Sequence, residues 1–193
     1  MKSPGTNTRR KANERALEIM ISLGRRAPAP TDLVGHLLAC HGRIREFVAL
    51  AAKAGATGGR DVEVVEACLA VERYFERALP LHVEDEEQSL LPRLQGRAAE
   101  VDEALRTMTE QHRVHGPLLD ELLVASRSVR GSPGERPRRE RLRVAAVQLT
   151  AEFEPHLALE ERIIFPAIGL LGAEAEAQIR GEQRARREVL LNR

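Results

Sequence analysis

The chain is predicted to be all-α: an antiparallel up-down-up-down four-helix bundle with extra N- and C-terminal helices. Three observations point there. Ala, Leu, Glu and Arg dominate its 193 residues, and these residues favour helix. Aromatic residues make up only 3%, and no alternating β-branched run argues for a sheet. Apolar residues recur at helical spacing in four long stretches, and the connections between them are short.

Residues 1–29 read as a flexible N-terminal segment with a short helix. Positions 1–10 are polar and lack a period, and Ala12 to Leu23 fits a helix closed by Gly24. The run from Ala27 to Asp32, APAPTD, breaks the chain, and Thr31 or Asp32 can cap the next helix. The bundle itself is expected over residues 30–171. Its first helix is expected from Asp32 to Ala54, with Leu33, Leu37, Ile44, Phe47, Val48 and Ala51 inward, and Gly55 ends it. The second is expected from Asp61 to Leu94 through Val65, Leu69, Phe75 and Leu79, kinked near Pro80. The third runs from Ala98 to Val129 on Val101, Leu105, Met108, Leu118, Leu119 and Leu122, perturbed at Gly116-Pro117. Gly131 to Pro137, GSPGERP, is a linker. The fourth helix runs from Arg138 to Leu171, with Pro155 directly before His156. Residues 172–193 form a charged terminal helix, expected on the outside or in solvent.

The chemistry lies in an internal repeat. His82 to Leu94 reads HVEDEEQSLLPRL and His156 to Ile168 reads HLALEERIIFPAI. Both give H-x-x-x-E-E, two apolar residues, Pro and a last apolar residue at matching offsets. Residues four apart on a helix share a face, so each stretch aims an imidazole and a carboxylate at one place. The earlier histidines repeat too: His41 and His112 both have apolar residues at +6, +7 and +10. Two related helical hairpins thus offer His41, His82, Glu86, His112, His156 and Glu160. Four imidazoles and two carboxylates suit iron or manganese better than a thiolate site. Six convergent ligands exceed what one tetrahedral zinc takes, which argues for two metals with bridging carboxylates. The remaining coordination positions would admit dioxygen, peroxide or nitric oxide. A ferritin-like site, with Glu-x-x-His pairs and more carboxylates, fits less well.

The pattern resembles the hemerythrin-like, His-His-Glu cation-binding family. The matching pieces are ACHGRI around His41, HVEDEEQSLLPRL, TEQHRVH around His112 and HLALEERIIFPAI, and together they cover residues 32 to 171. The resemblance implies two non-haem iron ions held by the same six residues, bridged by oxygen and carboxylates. It implies reversible dioxygen binding, or sensing of oxygen, iron or reactive oxygen and nitrogen species. The chain departs from the oxygen-carrying members. Where they carry a second histidine four after His112, it has Gly116, with His115 three after. Where they place an aspartate in the last helix, it offers Glu160 or Glu161. This places it with the divergent H…HxxxE…H…HxxxE members.

Other residues carry weaker claims. His115 is either a fifth imidazole ligand or a buried, hydrogen-bonded ring. His36 and Cys40 flank His41 at angles that favour non-ligand roles. Glu87 and Glu161 are either solvated or acceptors for an imidazole N–H. Tyr74 either lines the site or packs.

Composition excludes other classes. A net charge of +1 gives no case for nucleic acid or an anionic membrane, and the basic clusters near Arg9, Arg138 and Arg184 read as solvated faces. No apolar run reaches the roughly 18 residues of a membrane span. The polar N-terminus lacks a signal-peptide core, so a cytoplasmic location is the default, and Cys40 and Cys68 are expected as reduced thiols. Three functions stay open at this point. One is a di-iron protein binding dioxygen, peroxide or nitric oxide. Another is an iron- or oxygen-sensing module acting through a protein partner. The third is a weak peroxide- or nitric-oxide-consuming enzyme. No general base or substrate pocket marks the chain as a dedicated enzyme.

Overall fold

A computed structural model of the chain describes residues 32–56 and 58–191. The expected N-terminal segment and its short helix lie outside the described residues. Helix α1 spans Leu33–Gly55, and Asp32 caps it by accepting the Gly35 N–H at 2.7 Å. Helix α2 is built from Asp61–Arg73, a π turn Tyr74–Ala78, Leu79–Glu84, a second π turn Asp85–Leu90, and Leu91–Leu94. Helix α3 is Ala99–Gly131. Helix α4 joins Arg136–Leu159, a π turn Glu160–Ile164, Phe165–Ala167 and a 3₁₀ turn Ile168–Leu170, and α5 is Ala173–Leu191. The described residues contain no strand. None of these helices is long and apolar enough to cross a membrane.

Cross-helix contacts fix the topology. Gly55 at the end of α1 meets Arg139 and Arg143 at the start of α4, while His41 meets Glu160 further along. The pair is therefore antiparallel. Glu72 of α2 reaches Ser126 of α3, and Glu87 reaches His112. Glu121 of α3 holds Arg141 of α4, and Gln111 holds His156. Neighbours run in opposite directions throughout, which gives the expected up-down-up-down bundle.

Two apolar layers fill it. One gathers Ile44, Val48, Phe75, Leu79, Leu122, Leu149 and Phe153. The other gathers Leu37, Leu90, Leu94, Met108, Ile164 and Phe165, with Ile179 of α5. The histidines and glutamates of the site lie at the junction of the two layers: on α1, α2 and α3 they fall between residues of one and residues of the other, and on α4 Leu157 of the first layer stands between His156 and Glu160. The polar layer is thus held in place by about a helix turn or more of packed side chains on each side.

Three features differ from the sequence reading. The buried stripe at the start of α2 is Val64, Cys68, Val71 and Phe75, not Val65 and Leu69; Leu69 is 43% exposed. The true stripe follows 4-3-4 spacing, and Cys68 fills it as a small hydrophobe. Helix α3 runs unbroken through Pro117. Helix α2 answers Pro80 with a π turn, and the same device recurs. Leu79, Leu91 and Phe165 each directly precede a proline, and each donates its N–H five residues back, to Tyr74, Glu86 and Glu160 respectively. A widened turn makes room for the proline ring and absorbs the lost hydrogen bond. Two of the three π turns contain a glutamate of the site.

Gly55 marks the closest helix approach. A Cβ there would stand 2.6 Å from the Arg139 carbonyl oxygen and 2.6 Å from the Arg143 nitrogen, both main-chain atoms. Gly55→Ala is expected to destabilise the chain by about 2 kcal/mol in urea unfolding, because overpacking outweighs the gain in helix propensity.

Candidate metal centre

The structure brings all six histidines and glutamates proposed from the repeat into one layer, five of them buried and His112 partly so. His41 comes from α1, His82 and Glu86 from α2, His112 from α3, and His156 and Glu160 from α4. Each i,i+4 pair closes on itself: His82 Nε2 lies 3.2 Å from Glu86 Oε1, and His156 Nε2 lies 3.1 Å from Glu160 Oε1. The carboxylates also reach across. Glu160 Oε2 is 3.0 Å from His41 Nε2, while Glu86 Oε2 is 3.5 Å from His112 Nε2. Each carboxylate therefore offers one oxygen to the His41/His82 side and the other to the His112/His156 side. Two groups of donor atoms form, His41, His82, Glu86 and Glu160 on one side and His112, His156 and Glu160 on the other, with Glu160 in both.

These atoms do not satisfy one another. His41 Nε2, both ring nitrogens of His82, His112 Nε2 and all four carboxylate oxygens are buried without a hydrogen-bond partner. A buried unpaired polar atom costs about 1–3 kcal/mol. Imidazole nitrogens and carboxylate oxygens that stand 3.0–3.5 Å apart without an aligned hydrogen bond fit a cation between them. The donor set of imidazole nitrogen and carboxylate oxygen is one that first-row transition metals accept.

A surrounding ring of acceptors orients the imidazoles. His41 Nδ1 lies 2.9 Å from Glu161 Oε1, and His112 Nδ1 lies 2.9 Å from Glu87 Oε1. Each carboxylate supports the first-helix histidine of the other hairpin, so the halves exchange supports about a pseudo-twofold. This leaves Nε2 of both rings free to face the centre. His156 Nδ1 lies 3.0 Å from Gln111 Oε1. Arg45 braces Glu161 from outside at 2.8 Å.

The model of the hemerythrin HHE cation binding domain matches residues 32–168. The chain belongs to that family. No curated protein matches it. The hemerythrin match opens at the Asp32 cap and closes within the 3₁₀ turn that ends α4, so α5 lies outside it. A hemerythrin HHE domain binds metal cations, and the buried His/Glu cluster is the part of this one compatible with that.

The weaker candidates sort cleanly. Glu160 faces the centre and Glu161 faces His41 Nδ1. His115 is buried, stands edge-on to His156 with ring centroids 4.8 Å apart, and stays outside both donor groups. Cys40 Sγ sits 3.3 Å from an Arg43 nitrogen and 4.0 Å from His36, so neither Cys40 nor His36 joins the cluster. Tyr74 packs, stacking on Phe47 at 4.2 Å. Gln111 was not singled out in the sequence. Its signal was only its place, one residue before His112 on the turn that faces His156.

Without metal the cluster balances itself with protons. Burial opposes charge on His41 and His112, but the surrounding carboxylates push both up to about 9. Burial and the charge on Glu86 raise Glu160 to about 8. Glu86 stays below its ordinary range, because His82, His112 and His41 outweigh its burial. Burial, with neighbouring positive rings, lowers His82 to about 4 and His156 to about 3. The groups raised in the fold lose their stabilisation as pH climbs towards 9. The lowered histidines lose theirs as pH falls from 6.5 towards 4. The metal-free chain should therefore melt highest near pH 6.5 and lower on both sides, as a calorimetric series would show. A monotonic profile would contradict this balance.

Proposed function

We propose that this is a di-iron protein that binds dioxygen or a related small ligand, such as peroxide or nitric oxide. His41 and His82 would hold one iron, His112 and His156 the other, and Glu86 and Glu160 would bridge them. The observation that carries the reading is the split of each carboxylate, one oxygen towards each histidine pair. Iron at such a centre supplies a redox couple and open coordination positions.

The chain's own residues do the rest. Glu161, Glu87 and Gln111 hold three imidazoles with Nε2 inward. The two apolar layers keep water from the centre. A cavity of about 70 Å³ adjoins it, lined by Ile44, Leu79, His82, Val83, His112, His115, Leu119, Phe153, His156 and Leu157. The space is well below the roughly 300–1,000 Å³ of a drug-sized ligand site, so it suits a small ligand better than a bulky substrate. Its walls are mostly apolar, with His115 as the polar side chain that is free of the ligand set. Such a chamber suits binding of a small neutral molecule better than turnover of a charged one.

Anaerobic iron loading followed by dioxygen titration tests the reading. A visible absorption band that grows to saturation and bleaches on gas removal is expected. Irreversible loss of iron with no saturable band would contradict it.

A further inference from the structure

The repeat is broken in one respect. At the offsets of Asp85, Ser89 and Arg93 in the first half, the second half has Leu159, Ile163 and Ala167. These positions are spaced by four, so they form one stripe of the helix. In the second half the stripe is apolar and packs against the core. In the first half it is polar, yet Asp85 and Ser89 are fully buried.

Helix α5 covers that stripe. Arg186 Nη1 meets Asp85 Oδ1 at 2.7 Å, and Arg187 Nη2 meets Asp85 Oδ2 at 2.7 Å. Arg186 also donates to Ser89 Oγ at 2.8 Å, and Ser89 donates to Glu182 at 2.5 Å. Arg93 closes the network on Glu182 at 2.6 Å. Asp85 opens the π turn that carries Glu86, the next residue. The charged helix expected on the outside or in solvent is therefore packed on the outside, seated on the stripe of α2 next to Glu86.

An apolar stripe would seal this surface as well, as it does in the other half. Replacing a buried ion pair by packed apolar groups is often neutral or stabilising, whereas removing one partner alone is costly. A network of this kind is stable only with both sides in place, so it registers whether α5 is seated.

We propose that Asp85, through Arg186 and Arg187, is a positioning residue for Glu86, and that seating of α5 and metal occupancy are coupled. The proposal rests on the di-iron reading of the centre. With α5 seated, the π turn is fixed and the Glu86 carboxylate is aimed between the histidine pairs. With α5 released, Asp85 turns to water and the turn loses its brace. The coupling is reciprocal: whatever tightens metal binding on seating also tightens seating on metal binding.

The test uses the full-length wild-type chain under anaerobic conditions, with and without ferrous iron. Limited trypsin digestion is followed by intact mass for cuts after Arg184, Arg186 and Arg187. At least a fivefold slower cleavage with iron is expected. Equal rates in an iron-loaded sample overturn the proposal while leaving the di-iron reading intact. Absence of iron from the loaded sample, by elemental analysis, defeats the reading and this proposal together. Asp85→Leu, which copies the residue of the other half, adds a second readout. A drop of about tenfold or more in ferrous affinity is expected, as for other residues that orient metal ligands. Unchanged affinity in a helical Asp85→Leu chain would also overturn the proposal. If that variant fails to fold, the wild-type digestion decides alone.

Discussion

Glu160→Gln is expected to abolish metal binding at both positions and leave the metal-free fold standing. Glu160 is the one side chain shared by both donor groups. Its carboxyl is already pushed up to about 8 in the metal-free chain, so a neutral amide imitates the state it holds near neutral pH. The amide lacks the charge to bridge two cations. A ligand at a hundred times its Kd stabilises a fold by about 2.7 kcal/mol, and that increment should vanish in the variant. Thermal melts with and without ferrous iron measure it. Wild type should shift on iron addition and Glu160→Gln should not, with similar metal-free melting temperatures. Glu86→Gln should behave in the same direction. A full iron-induced shift in both variants would mean the carboxylates are misassigned.

Phe165→Ala is expected to give the largest loss of stability, about 3–5 kcal/mol by chemical unfolding. Phe165 is 1% exposed, belongs to the second apolar layer, and directly follows the π turn of Glu160. Its ring also lies against His41, with centroids 4.8 Å apart. Truncation opens a void beneath that histidine, so metal affinity should fall along with stability. A loss below about 1 kcal/mol would mean the layer collapses freely and does not brace the site.

Much of this was legible in the chain because it depends on short spacings. Four residues separate His82 from Glu86 and His156 from Glu160, and helical geometry turns that spacing into a shared face. Duplication then doubled the signal. The supports Glu87 and Glu161 were in view as candidates, but adjacency in sequence does not reveal that each serves the opposite hairpin. That exchange is a property of how the hairpins cross.

Other features depend on contacts that a linear pattern hides. Prolines 80, 92 and 166 follow π turns, whereas Pro117 and Pro155 sit inside regular helix. Proline alone therefore does not announce the wider turn. The seat of α5 was hidden by averaging. A helix with few buried residues, Ile179 and Gln183 among them, and several arginines reads only as an outer or solvent-exposed one when its composition is taken whole. The contrast between Asp85, Ser89 and Arg93 in one half and Leu159, Ile163 and Ala167 in the other was the signal that could have exposed it.

A dinuclear centre between two histidine pairs fixes the iron content per chain, measured after anaerobic loading and removal of free metal. About two irons per chain are expected, falling to none in Glu160→Gln. One zinc per chain, or no retained metal in the wild-type protein, would contradict the account.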